Sequence, residues 1–234
     1  FRRDAAGSKW EVYIMGTLQY VMINVFGILI MGLILYKLNT EENKEVAVYF
    51  TFRGIVLNSI LFFSTDALWS LIDAGYLSVG TVGAYIINSI YFSCSVVIPM
   101  FFVMLAEKIT GNEIFKEKSR RVILYLPALL FCGILLINPW TDWIFGIKEG
   151  NVYYRGDYHI VQEVISYVYL ALVAYIAIKK IVKKEEREVG VALVQVIVPP
   201  AVFGVFQLVI KDVPMICVGI TFAALMLYLY TFNG

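Results

Sequence analysis

Two carboxylates, Asp66 and Asp73, close a long apolar run that reads FSTDALWSLID, and Trp69 stands between them. At helical spacing i, i+3 and i+7 these three side chains share one face. An ionised carboxylate in hydrocarbon costs several kcal/mol unless it is paired, so an acid kept there calls for a partner or a use. The following run offers Asn88, Tyr91 and Ser95 at the same spacing, and the short turn between the runs makes the two helices antiparallel neighbours. Two readings of this patch stand side by side. Asp66 either hydrogen-bonds Asn88, Tyr91 or a serine and ties the helices together, a contact of about 1 kcal/mol, or it anchors a ligand pocket.

His159 is the single histidine and lies near Gln162 and Glu163. One histidine does not make a metal site, and nothing nearby supplies a nucleophile. No HExxH, phosphate-cradling glycine loop or nucleophile elbow occurs, so neither metal, cofactor nor catalytic group is expected within the chain. A retinal lysine in the last apolar run is also lacking, because Lys211 precedes that run.

The elements that must hold these residues are membrane helices. Hydrophobic residues make up 60% of the 234 and charged ones 16%, with a mean hydropathy of +0.78; an ordinary soluble domain is roughly 25% charged. A net charge of +1 gives no reason to expect nucleic acid as a partner. Seven runs are long enough to span, at about 12–36, 46–72, 79–105, 122–137, 160–178, 189–208 and 213–230, the fourth being the shortest. The expected fold is an all-α seven-helix bundle in a lipid bilayer. The first run exceeds the roughly 7–15 residues of a signal-peptide core and is expected to remain in the mature protein. Cys94, Cys132 and Cys217 each lie in an apolar run and read as buried free thiols.

Orientation follows from Lys and Arg in the loops. One side carries Lys37, Lys44, Lys108, Lys116, Lys118, Arg120, Arg121, Lys179, Lys180, Lys183, Lys184 and Arg187; the other carries Arg2, Arg3, Lys9, Lys148, Arg155 and Lys211. The richer side is assigned to the cytoplasm, which puts the N-terminus outside and the C-terminus inside. The flanks of the first span alone argue the reverse, and the larger excess of the two later loops outweighs them.

The outer loop NPWTDWIFGIKEGNVYYRGDY, residues 138–158, contains two β-prone arms, 144–147 and 152–155, around a Gly-Asn turn, and predicts a small hairpin. Its aromatic residues suit either an interfacial belt or a ligand lid. Arg53, two turns into the second span, is read as snorkelling to the headgroups. Asn24, Asn58, Gln195 and Gln207 are read as interhelical hydrogen-bonding groups. Pro199-Pro200 followed by Gly204 predicts a kink in the sixth span.

Three stretches resemble the N-terminal seven-helix sensory region found ahead of bacterial diguanylate cyclase (GGDEF) domains and some histidine kinases. Asp66-Ala-Leu-Trp69-Ser-Leu-Ile-Asp73-Ala-Gly75 is similar to a D-x-x-S/T-W-x-x-D-G pattern, although here the serine follows the tryptophan. Asn151-Val-Tyr153-Tyr154-Arg155-Gly156 is similar to N-x-Y-x-R-G in the outer loop, and the last helix ends in Thr231-Phe-Asn-Gly234 where such chains continue into their output domain. The resemblance implies a multi-pass receptor of the bacterial inner membrane, with its output beyond residue 234 acting as a homodimer and the chain itself without enzymatic activity. It also implies a pocket anchored by Asp66 and Asp73 and roofed by Tyr153, Tyr154 and Arg155, with Arg155 a partner for one of the acids. A small transporter or permease, and a structural membrane subunit, are the alternatives.

Overall fold

A computed structural model describes residues 2–40, 45–111, 114–115, 117–183, 186–209 and 213–232, with the side chains of 2–15, 208–209 and 232 left aside. Lys44, Lys116, Lys184 and Lys211 of the loop count, and the final Asn233-Gly234, lie outside the described residues. Seven helices and one hairpin follow in chain order among those residues: α1 (Arg2–Thr40), α2 (Val46–Asp73), α3 (Thr81–Ile109), α4 (Lys118–Thr141), β1 (Phe145–Lys148), β2 (Val152–Arg155), α5 (Ile160–Val182), α6 (Arg187–Val209) and α7 (Met215–Phe232).

Six of the helices are long and apolar enough to cross a membrane, and the seventh, Met215–Thr231, is apolar but shorter. At 1.5 Å per residue the 18 residues of α7 rise about 27 Å, just short of a hydrocarbon core of roughly 30 Å. The expectation that the fourth span is shortest is corrected. Asn138-Pro139 looks like a stop signal, yet α4 continues past it to Thr141 and closes on Asp142, whose φ of 51° turns the chain left-handed.

Around the bundle the contacts run α1, α2, α3, α5, α6, α7 and back to α1, a closed ring of six helices. α4 stands outside it, packed mainly on α3. This arrangement explains the pattern of exposure. Val122, Ile123, Leu126, Leu129 and Leu130 of α4 face outward, as a helix surface solvated by lipid does, while Leu124, Ala128, Phe131 and Leu135 are buried on its inner face.

Close approaches hold the ring. A Cβ on Gly219 of α7 would sit 2.9 Å from the Pro200 Cα and 3.0 Å from the Pro199 carbonyl oxygen, so glycine lets α7 lie against the diproline segment of α6. α6 runs unbroken through Pro199 and Pro200, with two backbone donors missing from its ladder. Near the start of α2, Lys108 Nζ donates to the Ala47 carbonyl (2.9 Å) and the Thr51 hydroxyl (2.7 Å), tying α3 to α2. Arg53 donates to the Tyr49 hydroxyl at 3.4 Å, one turn nearer the start of α2, the direction a snorkelling guanidinium takes. All three cysteines are free, with Cys94 and Cys217 buried and Cys132 partly so.

The hairpin forms one residue later in its first arm than expected, at Phe145–Lys148, and pairs antiparallel with Val152–Arg155. Its turn uses φ of 80° at Gly150 and 62° at Asn151, values that glycine and asparagine adopt at least cost. Asn138 pins the first strand to α4: its Nδ2 donates to the Phe145 carbonyl and its Oδ1 accepts from Ile144 N, both at 2.8 Å. Asn151 Nδ2 donates to the Val79 carbonyl at 3.0 Å, tethering the turn to the loop before α3.

Candidate functional site

Asp66 lies two turns before the end of α2 and is only 8% exposed. Its Oδ2 accepts from the Tyr20 hydroxyl at 2.8 Å and from Asn24 Nδ2 at 3.0 Å. The two donors are four residues apart on α1, so a single helix face presents both to one oxygen. The expected tie to α3 is therefore corrected. Asn88 Nδ2 donates to the Ala84 carbonyl (3.0 Å) and Ser95 Oγ to the Phe92 carbonyl (2.7 Å), each within α3. Among the described residues no hydrogen bond joins Asp66 to α3, and Oδ1 carries none.

Asp66, Trp69, Asn88 and Tyr91 nevertheless face one another. All four line a cavity of about 290 Å³ inside the ring, beneath the hairpin. α2 contributes Phe62, Asp66 and Trp69, and α3 contributes Asn88, Tyr91, Phe92 and Ser95. The far wall is formed by His159, Gln162, Glu163 and Ser166 at the head of α5, with Pro200, Gly204 and Gln207 of α6 and Ile216 and Ile220 of α7. Rings define much of the surface: Tyr91 stacks on Phe62 at 4.5 Å, and Trp69 meets Tyr153 edge-on at 6.0 Å.

The hairpin covers this cavity with part of the expected roof. Tyr153 and Arg155 of β2 line the cavity, whereas Tyr154 does not. Successive strand residues point to opposite faces, and on its side the Tyr154 hydroxyl donates to Asp142 Oδ2 at 2.7 Å. The Tyr85 hydroxyl donates to the other oxygen, Oδ1, at 2.6 Å, so one carboxylate clasps strand to helix α3. Tyr154 is thus a fastening of the roof rather than a part of its inner surface. Phe145 and Tyr153 turn inward while Trp140, Trp143 and Tyr158 are exposed, so the loop's aromatic residues divide between lid and rim.

Asp73 also departs from expectation. It is the last residue of α2, is exposed, and does not line the cavity. A shift of seven residues carries it about 10 Å along the helix axis from Asp66. Arg155 makes no ion pair with either acid among the described residues. It lies instead beside His159 and Tyr153.

Electrostatics at the cavity mouth follow burial. Desolvation pushes the Tyr153 hydroxyl up to about 12, partly offset by Arg155. Burial, and then the Arg155 guanidinium, hold His159 below its usual value, so its ring is neutral at pH 7. His159 Nε2 lies 3.9 Å from Glu163 Oε1, and its ring meets Phe92 edge-on at 5.4 Å. Tyr154 is raised chiefly by its hydrogen bond to Asp142.

Several contributors were not evident from local pattern. Tyr20 is the main one, and its signal was the i, i+4 pairing with Asn24. Gln207, read only as interhelical glue, lines the cavity and accepts from Ile216 N at 2.7 Å, capping the start of α7. Ser166 Oγ donates to the Ser95 carbonyl at 3.0 Å and joins α5 to α3 across the wall. Among the described residues no group of three or more His, Cys, Asp or Glu side chains is placed to hold a metal ion. The sequence matches no family model and is significantly similar to no curated protein.

Proposed function

We propose that this chain is a membrane-embedded receptor module that binds a small ligand beneath the hairpin and passes the event through α7 to an output domain. The observation that carries the reading is the cavity itself: aromatic and apolar walls with a few convergent polar groups, roofed by a strand. Its wall includes Ile216, Ile220 and the Gln207 that caps α7, so a bound ligand would touch the helix assigned to transmission. A ligand shifts such an equilibrium by binding one helix arrangement better than the other.

In this reading α7 is a seventh crossing, the hairpin lies outside a bacterial inner membrane, and the Lys- and Arg-rich loops are cytoplasmic. The output, by resemblance, is a diguanylate cyclase beyond residue 234 that works as a homodimer. The test fuses the chain through α7 to a GGDEF domain and follows conversion of GTP to cyclic di-GMP. Cavity variants Trp69→Ala and Ser166→Leu are expected to change output several-fold, and a flexible insertion after Tyr230 to abolish that change. Output indifferent to the cavity variants, or cyclic di-GMP made by the chain without the fused domain, would overturn the assignment.

A further inference from the structure

The cavity carries charge that its own side chains do not balance. Asp66 and Glu163 bring two carboxylates to its wall and Arg155 one guanidinium, with His159 neutral beside them. Arg155 and Glu163, of opposite charge, both flank His159. Asp66 lies deeper. Both of its hydrogen-bond donors, Tyr20 and Asn24, are uncharged, and both converge on Oδ2. Among the described residues no cation pairs with it and Oδ1 has no hydrogen bond. A carboxylate that is 8% exposed, on the wall of a cavity, is the kind of group that takes its missing partner from a ligand.

The surroundings select the form of that partner. Phe62, Trp69, Tyr91 and Tyr153 present rings around the same space, and aromatic faces attract cations within about 6 Å of the ring centre. A hydrated metal ion would waste this apolar surface and would find one carboxylate where hard cations take several oxygens. An organic cation uses both features: its ammonium meets Asp66 and its carbon body displaces water from the rings.

Resting on the receptor reading, we infer that the ligand is an organic monocation, a protonated amine on a compact apolar or aromatic body, with its ammonium on Asp66 Oδ1. Asn88 and Tyr91 line the same cavity, and the Asn88 amide oxygen and the Tyr91 hydroxyl are the acceptors it offers for the remaining ammonium hydrogens.

The experiment compares three probes that share a phenethyl body and differ in the charge of the head group, on the purified chain in uncharged lipid nanodiscs: phenethylamine, 2-phenylethanol and 3-phenylpropanoate. Quenching of tryptophan fluorescence reports binding, with Trp69→Phe identifying the part that arises in the cavity. Phenethylamine is expected to bind at least 10-fold more tightly than 2-phenylethanol, and 3-phenylpropanoate more weakly than either. Asp66→Asn is expected to remove the preference for the amine while leaving the alcohol within about threefold, and Asp66→Glu to restore part of it. Should Asp66→Asn fail to fold, the ranking of the three probes on the native chain decides alone. Equal binding of amine and alcohol, or preference for the acid, would overturn the cation assignment and leave the ligand cavity standing. Binding of none of the three by folded protein would overturn both.

Discussion

At the residue scale the molecule is organised around a carboxylate that two neutral side chains hold in place. Removing one of them, by Tyr20→Phe, should lower stability in detergent by about 1 kcal/mol, the usual value for a membrane side-chain hydrogen bond; thermal melting of the two proteins checks this. His159 gives a second expectation with a definite sign. Its pKa in the folded protein lies below the ordinary 6.5 because of burial and Arg155. The unfolded chain therefore takes up the proton first as pH falls, and stability drops below about pH 6.5 until the folded state is protonated too. Above that range the His159 contribution is constant. Melting temperatures between pH 8 and 5 should show this decline in the native protein and a flatter profile in His159→Gln. Sequence alone identified Asp66 but not its partners. The polar spacing of α3 matches that of α2, yet the two donors sit on α1, and nothing in the spacing of α2 tells which neighbour supplies them.

At the element scale the hairpin and the α6–α7 pair depend on particular contacts. Asn138 is fully buried and its amide serves both Ile144 N and the Phe145 carbonyl. Asn138→Ala leaves both groups without that partner, at about 1–3 kcal/mol each, and should accelerate amide exchange at Ile144 well beyond that at residues in mid-α3. For α7, Gly219→Leu drives a side chain into the Pro199-Pro200 backbone, whereas at Gly133 on α4 a Cβ meets nothing within 4 Å. Gly219→Leu should therefore destabilise by several kcal/mol and Gly133→Leu by little, as thermal unfolding of the two variants will report. The elements themselves were legible because long apolar runs have few alternatives in lipid. The end of α4 was not: its proline is tolerated as the helix runs on for a last turn, and only Asp142 stops it.

At the scale of the whole molecule, closure of the ring by α1 and α7 couples the two ends of the described chain. Cys217 Sγ lies 2.8 Å from the place a Cβ would take on Gly27, and 3.9 Å from the Ile23 carbonyl oxygen. Gly27→Cys should therefore cross-link to Cys217 under a membrane-permeant oxidant, which mass spectrometry of the intact chain would detect. In the GGDEF fusion the cross-link is expected to freeze output at one level. Helix number and apolar character could be read from the apolar runs, but the exclusion of α4 from the ring could not, because it depends on α3 packing directly on α5, which is not its neighbour in sequence.

Synthesis and insertion proceed from the N-terminus, which gives the bond between α1 and α2 a meaning in time as well as in space. When α2 enters the bilayer, the helix already there is the one that carries Tyr20 and Asn24. Asp66 can take both of its hydrogen-bond donors at once within a two-helix unit, before any of the five later helices exists. A partner on α6 or α7 would have left the acid unsatisfied in hydrocarbon through most of biogenesis. The wall that bears the carboxylate is thus the first part of the cavity to be made, and the remaining helices assemble around a polar group whose cost in lipid two neutral donors have already reduced.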